Sequence, residues 1–183
     1  MKKSAASSLE HTLTTAFVII LSICSIGWSG LFLSKPYYNA SGTDENGNKV
    51  YAGKVPIDST RAYNQFKMGP RSEMSKLHYL LDRLGELEGF RFRFGNDYYD
   101  KEMARFGMDW LISHRYKRKQ NAREFLRTQN AWLEVGGDRL LIRFPDGKLY
   151  HAIAIILNEL DLLEETYEKE KTVHFLRPVE TAS

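Results

Sequence analysis

The chain is poor in the residues that most often carry chemistry. Its 183 residues hold one cysteine, Cys24, so an internal disulfide or a cysteine-built metal site is excluded. The five histidines stand at positions 11, 78, 114, 151 and 174. None pairs with another at i, i+4, and no Glu-x-x-His occurs, so the usual helical metal-ligand spacing is missing. No serine sits in a Gly-x-Ser-x-Gly elbow, and no glycine-rich phosphate loop is present. Asp100, Glu102 and Asp109 are near one another, but acids at a helix start are ordinary capping residues. These absences lead us to expect neither cofactor nor metal, and a non-catalytic role.

Charge of one sign is also scarce. The net charge is +3, too small for a global field that would attract a polyanion. The charge is uneven, however: residues 71–127 carry net +4 and residues 128–183 net −4. Two solvated faces of one domain explain this, and so does a module that docks by charge.

One feature is abundant where charge is absent. No charged residue occurs from Thr12 to Ser34, and "LTTAFVIILSICSIGWSGLFL" fills 21 of those positions. At about 1.5 Å per residue, a helix of that length covers roughly 30 Å, the thickness of a bilayer core. Trp28 and Phe32 stand near its outer end, where aromatic belts form. The run is long for a cleaved signal peptide, and Ile23 before Cys24 argues against a lipoprotein signal. An uncleaved signal-anchor fits best. Lys2 and Lys3 precede it, which places the N-terminus in the cytoplasm and the bulk outside, in the periplasm of a bacterium. The expected organisation is thus a cytoplasmic segment 1–11 and a single-pass inner-membrane anchor 12–34. A Gly/Asn/Tyr-rich arm 35–70, a periplasmic domain 71–171 and a tail 172–183 follow.

The arm shows no helical period, and "KVYAGKV" is its one candidate strand. Its aromatics, Tyr37, Tyr38, Tyr51, Tyr63 and Phe66, require a surface to cover them. Beyond it, residues 72–88 read as an amphipathic helix with Ser72 as N-cap and Gly89 as a stop. "FRFRF" alternates with period 2 and reads as a strand, followed by a "GND" turn. The next helix is expected to bury Met103, Phe106 and Trp110, with Gly107 allowing close packing. A short helix over "NAREFL" turns Ala122, Phe125 and Leu126 inward. "AWLEV" and "RLLIRF" read as a hairpin. A last long helix is expected from Leu149, burying positions 149, 153, 156, 160, 163 and 167. The order gives no βαβ alternation, so the expected fold is α+β: a short antiparallel sheet packed by amphipathic helices.

The stretches "LHYLLDRLGE", "FRFRFGNDYYDKEMARF", "AREFL", "GGDRLLIRFPDGK" and "LNELDLLE" together resemble a family of small exported bacterial proteins, a domain of unknown function. The resemblance covers about residues 73–164. It differs at the turn, Phe-Gly-Asn here rather than Arg-Asn-Gly, and in lacking a serine cluster in the hairpin. It implies an exported α+β domain and no particular chemistry.

The aromatic and arginine alternation of "FRFRF" is also the look of a nucleic-acid-reading strand. Outside the membrane no nucleic acid is expected. The simpler expectation is that Phe90, Phe92 and Phe94 enter the core while Arg91 and Arg93 face water. Candidate partner-binding residues are of three kinds. Tyr37 and Tyr38 open the arm. Arg115, Lys117 and Arg118 lie in an acid-free basic stretch that suits either a helix C-terminus or an acidic partner or headgroup. Ile155 and Leu162 lie off the main stripe of the last helix, either beneath neighbouring helices or facing a partner or a second copy. The reading that follows is an accessory or assembly subunit acting by protein contacts, as a hetero- or homo-oligomer. The alternative is a periplasmic enzyme or binding protein for peptidoglycan or lipid, which requires a pocket near Asp109, His114 and Arg143.

Overall fold

The chain divides into Met1–Pro36 and Tyr37–Ser183. The structure, a computed structural model, describes residues 39–130 and 138–176, all within the second unit. The apolar run 12–34, Tyr37 and Tyr38, the "AWLEV" strand and residues 177–183 lie outside the described residues. Among the described residues no helix is long and apolar enough to cross a membrane.

The fold is α+β. Its helices are α1 (Arg61–Met68), α2 (Glu73–Gly85), α3 (Lys101–Arg115), α4 (Ala122–Asn130) and α5 (Ala152–Leu176). Its strands are β1 (Arg91–Phe94), β2 (Asp97–Tyr99), β3 (Leu141–Arg143) and β4 (Leu149–His151), in the order β2-β1-β3-β4 with every neighbour antiparallel. Asn39 extends the β4 edge: its N–H donates to Leu149 O at 3.0 Å, and its carbonyl accepts from His151 N–H at 3.1 Å.

Register decides which face of the sheet is core. Phe92 sits opposite Tyr99 and Ile142, and Ile142 opposite Tyr150. Side chains alternate across a strand, so these residues share one face, and Phe92, Ile142 and Tyr150 are buried on it. Arg91 and Arg93 point the other way. The expectation for this strand therefore holds fully only at Phe92. Phe94 is half-buried, and Phe90 precedes the strand and packs edge-to-face on Phe144 at 4.8 Å.

Residues 39–70, expected as an arm whose aromatics pack either on the protein's own domain or on a partner, pack on the domain's own core. Ile57, Ala62 and Tyr63 are fully buried and Phe66 nearly so. Thr60 caps α1 by accepting from Tyr63 N–H, and Phe66 meets Tyr79 and Tyr167 edge-on at 6.1 Å. "KVYAGKV" forms no strand; Thr43 and Lys49 make one isolated bridge.

Three other expectations are corrected. The last helix begins at Ala152, because Leu149–His151 pair with β3 instead. It also runs through Leu176, into the segment expected to be a tail. Third, α3 buries Met108 and Ile112, while Met103, Phe106 and Trp110 are exposed.

Helix starts are satisfied in two ways. Ser72 and Asp100 cap α2 and α3 locally. The carboxylates at the two ends of α2 also serve its neighbours. Glu73 Oε2 accepts from Ala122 N–H at the start of α4, and Glu86 Oε1 accepts from Ala62 N–H at the start of α1, both at 2.8 Å. Each places a negative charge on the positive end of another helix dipole.

Candidate functional site

The buried charges of the domain, Arg83 and Glu159, are committed to holding it together. Arg83, on the inner side of α2, donates through Nε to Glu159 Oε2 at 3.1 Å and through Nη2 to Lys54 O at 3.0 Å. Its Nη1 reaches Glu86 Oε2 at 3.1 Å. Glu159 uses its other oxygen to accept from Gly53 N–H at 2.8 Å. The group thus joins α2, α5 and the 52–54 loop. Burial disfavours the charged guanidinium, but the carboxylates beside it outweigh that and raise its pKa above the ordinary value. A cavity of about 20 Å³, room for one water, lies beside this pair against Leu80, Leu84, Ile142 and Ile155. It holds no second acid or base that would make it a reaction site.

A second network covers α5. Asp161 accepts from Lys49 at 2.7 Å and Arg123 at 2.6 Å, Glu164 from Arg123 at 2.7 Å and Lys76 at 2.8 Å, and Lys76 also meets Glu73 at 2.8 Å. Burial alone would raise the Asp161 pKa; the hydrogen bonds from Lys49 and Arg123 override it and hold the carboxyl below its usual range. Glu73 behaves alike: Lys76 and the Ala122 N–H outweigh its burial.

The surface offers something different. On α3, at about 100° per residue, Met103, Phe106 and Trp110 fall within one stripe directly opposite Met108 and Ile112. Their exposures are 51%, 56% and 37%. Ser113 and His114 complete the stripe, and the charged Glu102, Arg105 and Asp109 flank it on one side. His114 stacks on Trp110 with centroids 4.6 Å apart and an 18° tilt, and its Nδ1 lies 2.9 Å from Trp110 O. Helix α3 is therefore apolar on two opposite faces, of which the one bearing Met108 and Ile112 is buried. A Cβ added at Gly107 would meet nothing within 4 Å, so that glycine lies on open surface rather than in a tight packing contact.

The basic stretch follows at the C-terminal end of the same helix. Arg115 lies in its last turn, and Lys117, Arg118 and Lys119 lie in the turn beyond; all are exposed. Tyr116 fixes this segment by donating to Gln120 O at 2.8 Å and packing edge-on to Phe125 at 5.7 Å. The fold thus joins the sequence-expected Arg115, Lys117 and Arg118 to an apolar stripe that had been expected in the core. Helical period alone finds both stripes and cannot say which one faces inward.

The other expected residues are placed elsewhere. Ile155 is 1% exposed and lies within the core, so it presents no free face to a partner. Leu162 is half-buried and packs against the same core. The wrapped alternative for the last helix is the one observed for this pair. Asp109 and His114 on α3 and Arg143 on β3 are exposed, and the small cavity lies beside Arg83 instead. Among the described residues no three His, Cys, Asp or Glu side chains group as metal ligands would.

No protein-family model matches the chain, and neither a curated protein nor a solved structure matches it significantly.

Proposed function

We propose that the protein is a single-pass inner-membrane protein whose periplasmic domain is a non-catalytic accessory or assembly subunit, docking a protein partner through the outward face of α3. The observation that carries this reading is the exposed stripe Met103, Phe106 and Trp110. Its i, i+3, i+7 spacing is that of an amphipathic helix laid into an apolar groove. Arg115, Lys117 and Arg118 at its end suit a groove with an acidic rim. Three partly exposed side chains offer roughly 300 Å² of apolar surface. Two copies meeting through this stripe alone fall below the area of a stable dimer. A groove that wraps the helix buries more per side chain. Four residues separate the charge-free run 12–34 from Asn39, which is already fastened to β4. The resemblance of residues 73–164 to exported bacterial domains supports the same compartment.

The test is photocrosslinking of the full chain in its native membrane, with a benzophenone side chain at Phe106 or, as control, at Arg61 on the exposed side of α1. The expected result is one discrete heterologous adduct from Phe106 and none from Arg61. A self-adduct would replace the partner by a second copy. Lipid adducts alone, or no adduct, would overturn the reading.

A further inference from the structure

The face of the sheet turned away from Phe92 carries an unusual concentration of one charge. Arg91 and Arg143 are directly opposed in the β1–β3 register, and Arg93 stands two residues along on the same face. Like charges set directly opposite each other across a ladder destabilise it. Tyr98 is opposite Arg93 on β2 and is 46% exposed. The Arg93 guanidinium carbon lies 5.8 Å from the Tyr98 ring centre and that of Arg143 6.0 Å. Tyr98 and Arg143 stand on strands to either side of β1, so their side chains meet above it, over the row that bears Arg91 and Arg93. Arg93 is held in place by its Nε, which donates to Gly95 O at 2.8 Å.

Among the described residues, Arg91, Arg93 and Arg143 make no ion pair with a carboxylate. Two acids stand near the ends of these strands. An Asp138 oxygen lies 3.5 Å from where a Gly95 Cβ would stand, and Asp146, in the turn after β3, faces Lys148 at 3.9 Å. Lys49, Lys76, Arg83 and Arg123, by contrast, each meet a carboxylate within 3.0 Å.

We infer that Arg91, Arg93 and Arg143, with the Tyr98 hydroxyl, form a binding site for a phosphate-type oxyanion. Guanidinium forks match the geometry of phosphate oxygens, and three of them exceed the charge of a single carboxylate. The anion relieves the opposed Arg91–Arg143 pair, so the ligand supplies what the ladder lacks. Arg91 and Arg143 are exposed and Arg93 is half-buried, which suits a phosphate carried on a larger molecule, including a lipid headgroup. This site is on the sheet, separate from the α3 stripe, and does not depend on it.

The full chain in nonionic detergent is titrated calorimetrically with inorganic phosphate. In parallel it is titrated with micelles doped with phosphatidylglycerol or with phosphatidylcholine. A saturable response is expected, weakened at least tenfold by Arg91→Gln with Arg143→Gln and unchanged by Arg61→Gln with Lys169→Gln, exposed cations on α1 and α5. Binding of phosphate alone identifies a soluble source; a response to phosphatidylglycerol but not phosphatidylcholine identifies the headgroup. If the glutamine pair does not fold, Arg91→Lys with Arg143→Lys keeps the charge, loses the forks, and is expected to weaken binding several-fold. Failure of both phosphate and phosphatidylglycerol to bind overturns the site. So does equal weakening by the Arg61/Lys169 pair.

Discussion

Arg83 and Glu159 meet 3.0 Å apart at the centre of the domain, with only 2% and 5% of their surfaces exposed. A charge taken that far out of water persists only when paired and hydrogen-bonded on every side, and the Lys54 carbonyl, Glu86 and the Gly53 N–H complete the set. Glu159→Ala leaves the guanidinium buried beside Glu86 alone. The expected loss is about 3–5 kcal/mol of folding stability. Replacing both partners, Arg83→Met with Glu159→Leu, is expected to recover much of it, because no isolated charge remains. Thermal unfolding of the two variants, followed by circular dichroism in mild detergent, reads the difference; a double variant less stable than Glu159→Ala contradicts this account.

Gly53 tests the same pair from the backbone side. A Cβ at this position would stand 2.0 Å from Arg83 Nη2 and 2.3 Å from its Cζ. A free arginine would swing aside, but this one is pinned by three elements. Gly53→Ala is therefore expected to destabilise by several kcal/mol, on the scale of overpacking plus a broken buried pair. Gly47→Ala is the control: it has a positive φ of 82° but no atom within 4 Å of its added methyl, and so meets strain without collision. If both substitutions cost the same, the clash with Arg83 is not what makes Gly53 necessary.

Gly53 could not have been picked out beforehand, and the reason is general to this chain. Local rules were legible: Ser72 and Asp100 as caps, Ala122, Phe125 and Leu126 turned inward, Leu160 and Leu163 on the buried stripe. Each depends on residues within a few positions. Glu73 and Glu86 look like ordinary helix-end acids, yet they cap α4 and α1 from a distance. Helix α1 was hidden because its eight residues lie inside a Gly- and Pro-rich stretch. Its signal, Thr60 followed by Tyr63 and Phe66, is short. The α3 stripe failed for a different reason. Two apolar faces on one helix carry equal periodic signal, and only tertiary packing chose Met108 and Ile112. The opposed Arg91–Arg143 pair depends on strand register, which pairs residues 52 positions apart.

Acid stability follows from Asp161 and Glu73. Both have folded pKa values depressed below their ordinary values of 3.8 and 4.5. Their stabilisation is therefore complete above those ordinary values. It is lost as the pH falls through the lower folded values. The chain is expected to unfold in acid only below about pH 4, and Asp161→Asn to move that transition upward and flatten it. High salt is expected to weaken this network more than the Arg83 pair, since exposed pairs are screened and buried ones much less. Circular dichroism against pH, with and without 1 M salt, checks both; an acid transition unmoved by Asp161→Asn removes α5's carboxylate network from the account.

Ile155 and Leu162 separate burial from docking on α5. Ile155 is 1% exposed and borders the cavity beside Arg83, so truncation enlarges a space the fold cannot easily close. Ile155→Ala is expected to lose about 2–5 kcal/mol of stability. Leu162 is only partly covered, so Leu162→Ala is expected to lose less. Neither change touches the outward face of α3, so adduct formation from Phe106 should survive in whatever fraction remains folded. Met103→Ser with Trp110→Ser should show the converse: little loss of melting temperature, because neither side chain belongs to the buried core or packs against it, and loss of the adduct. A Leu162→Ala variant that stays fully stable yet loses the adduct would return α5 to the docking surface and place the partner across both helices.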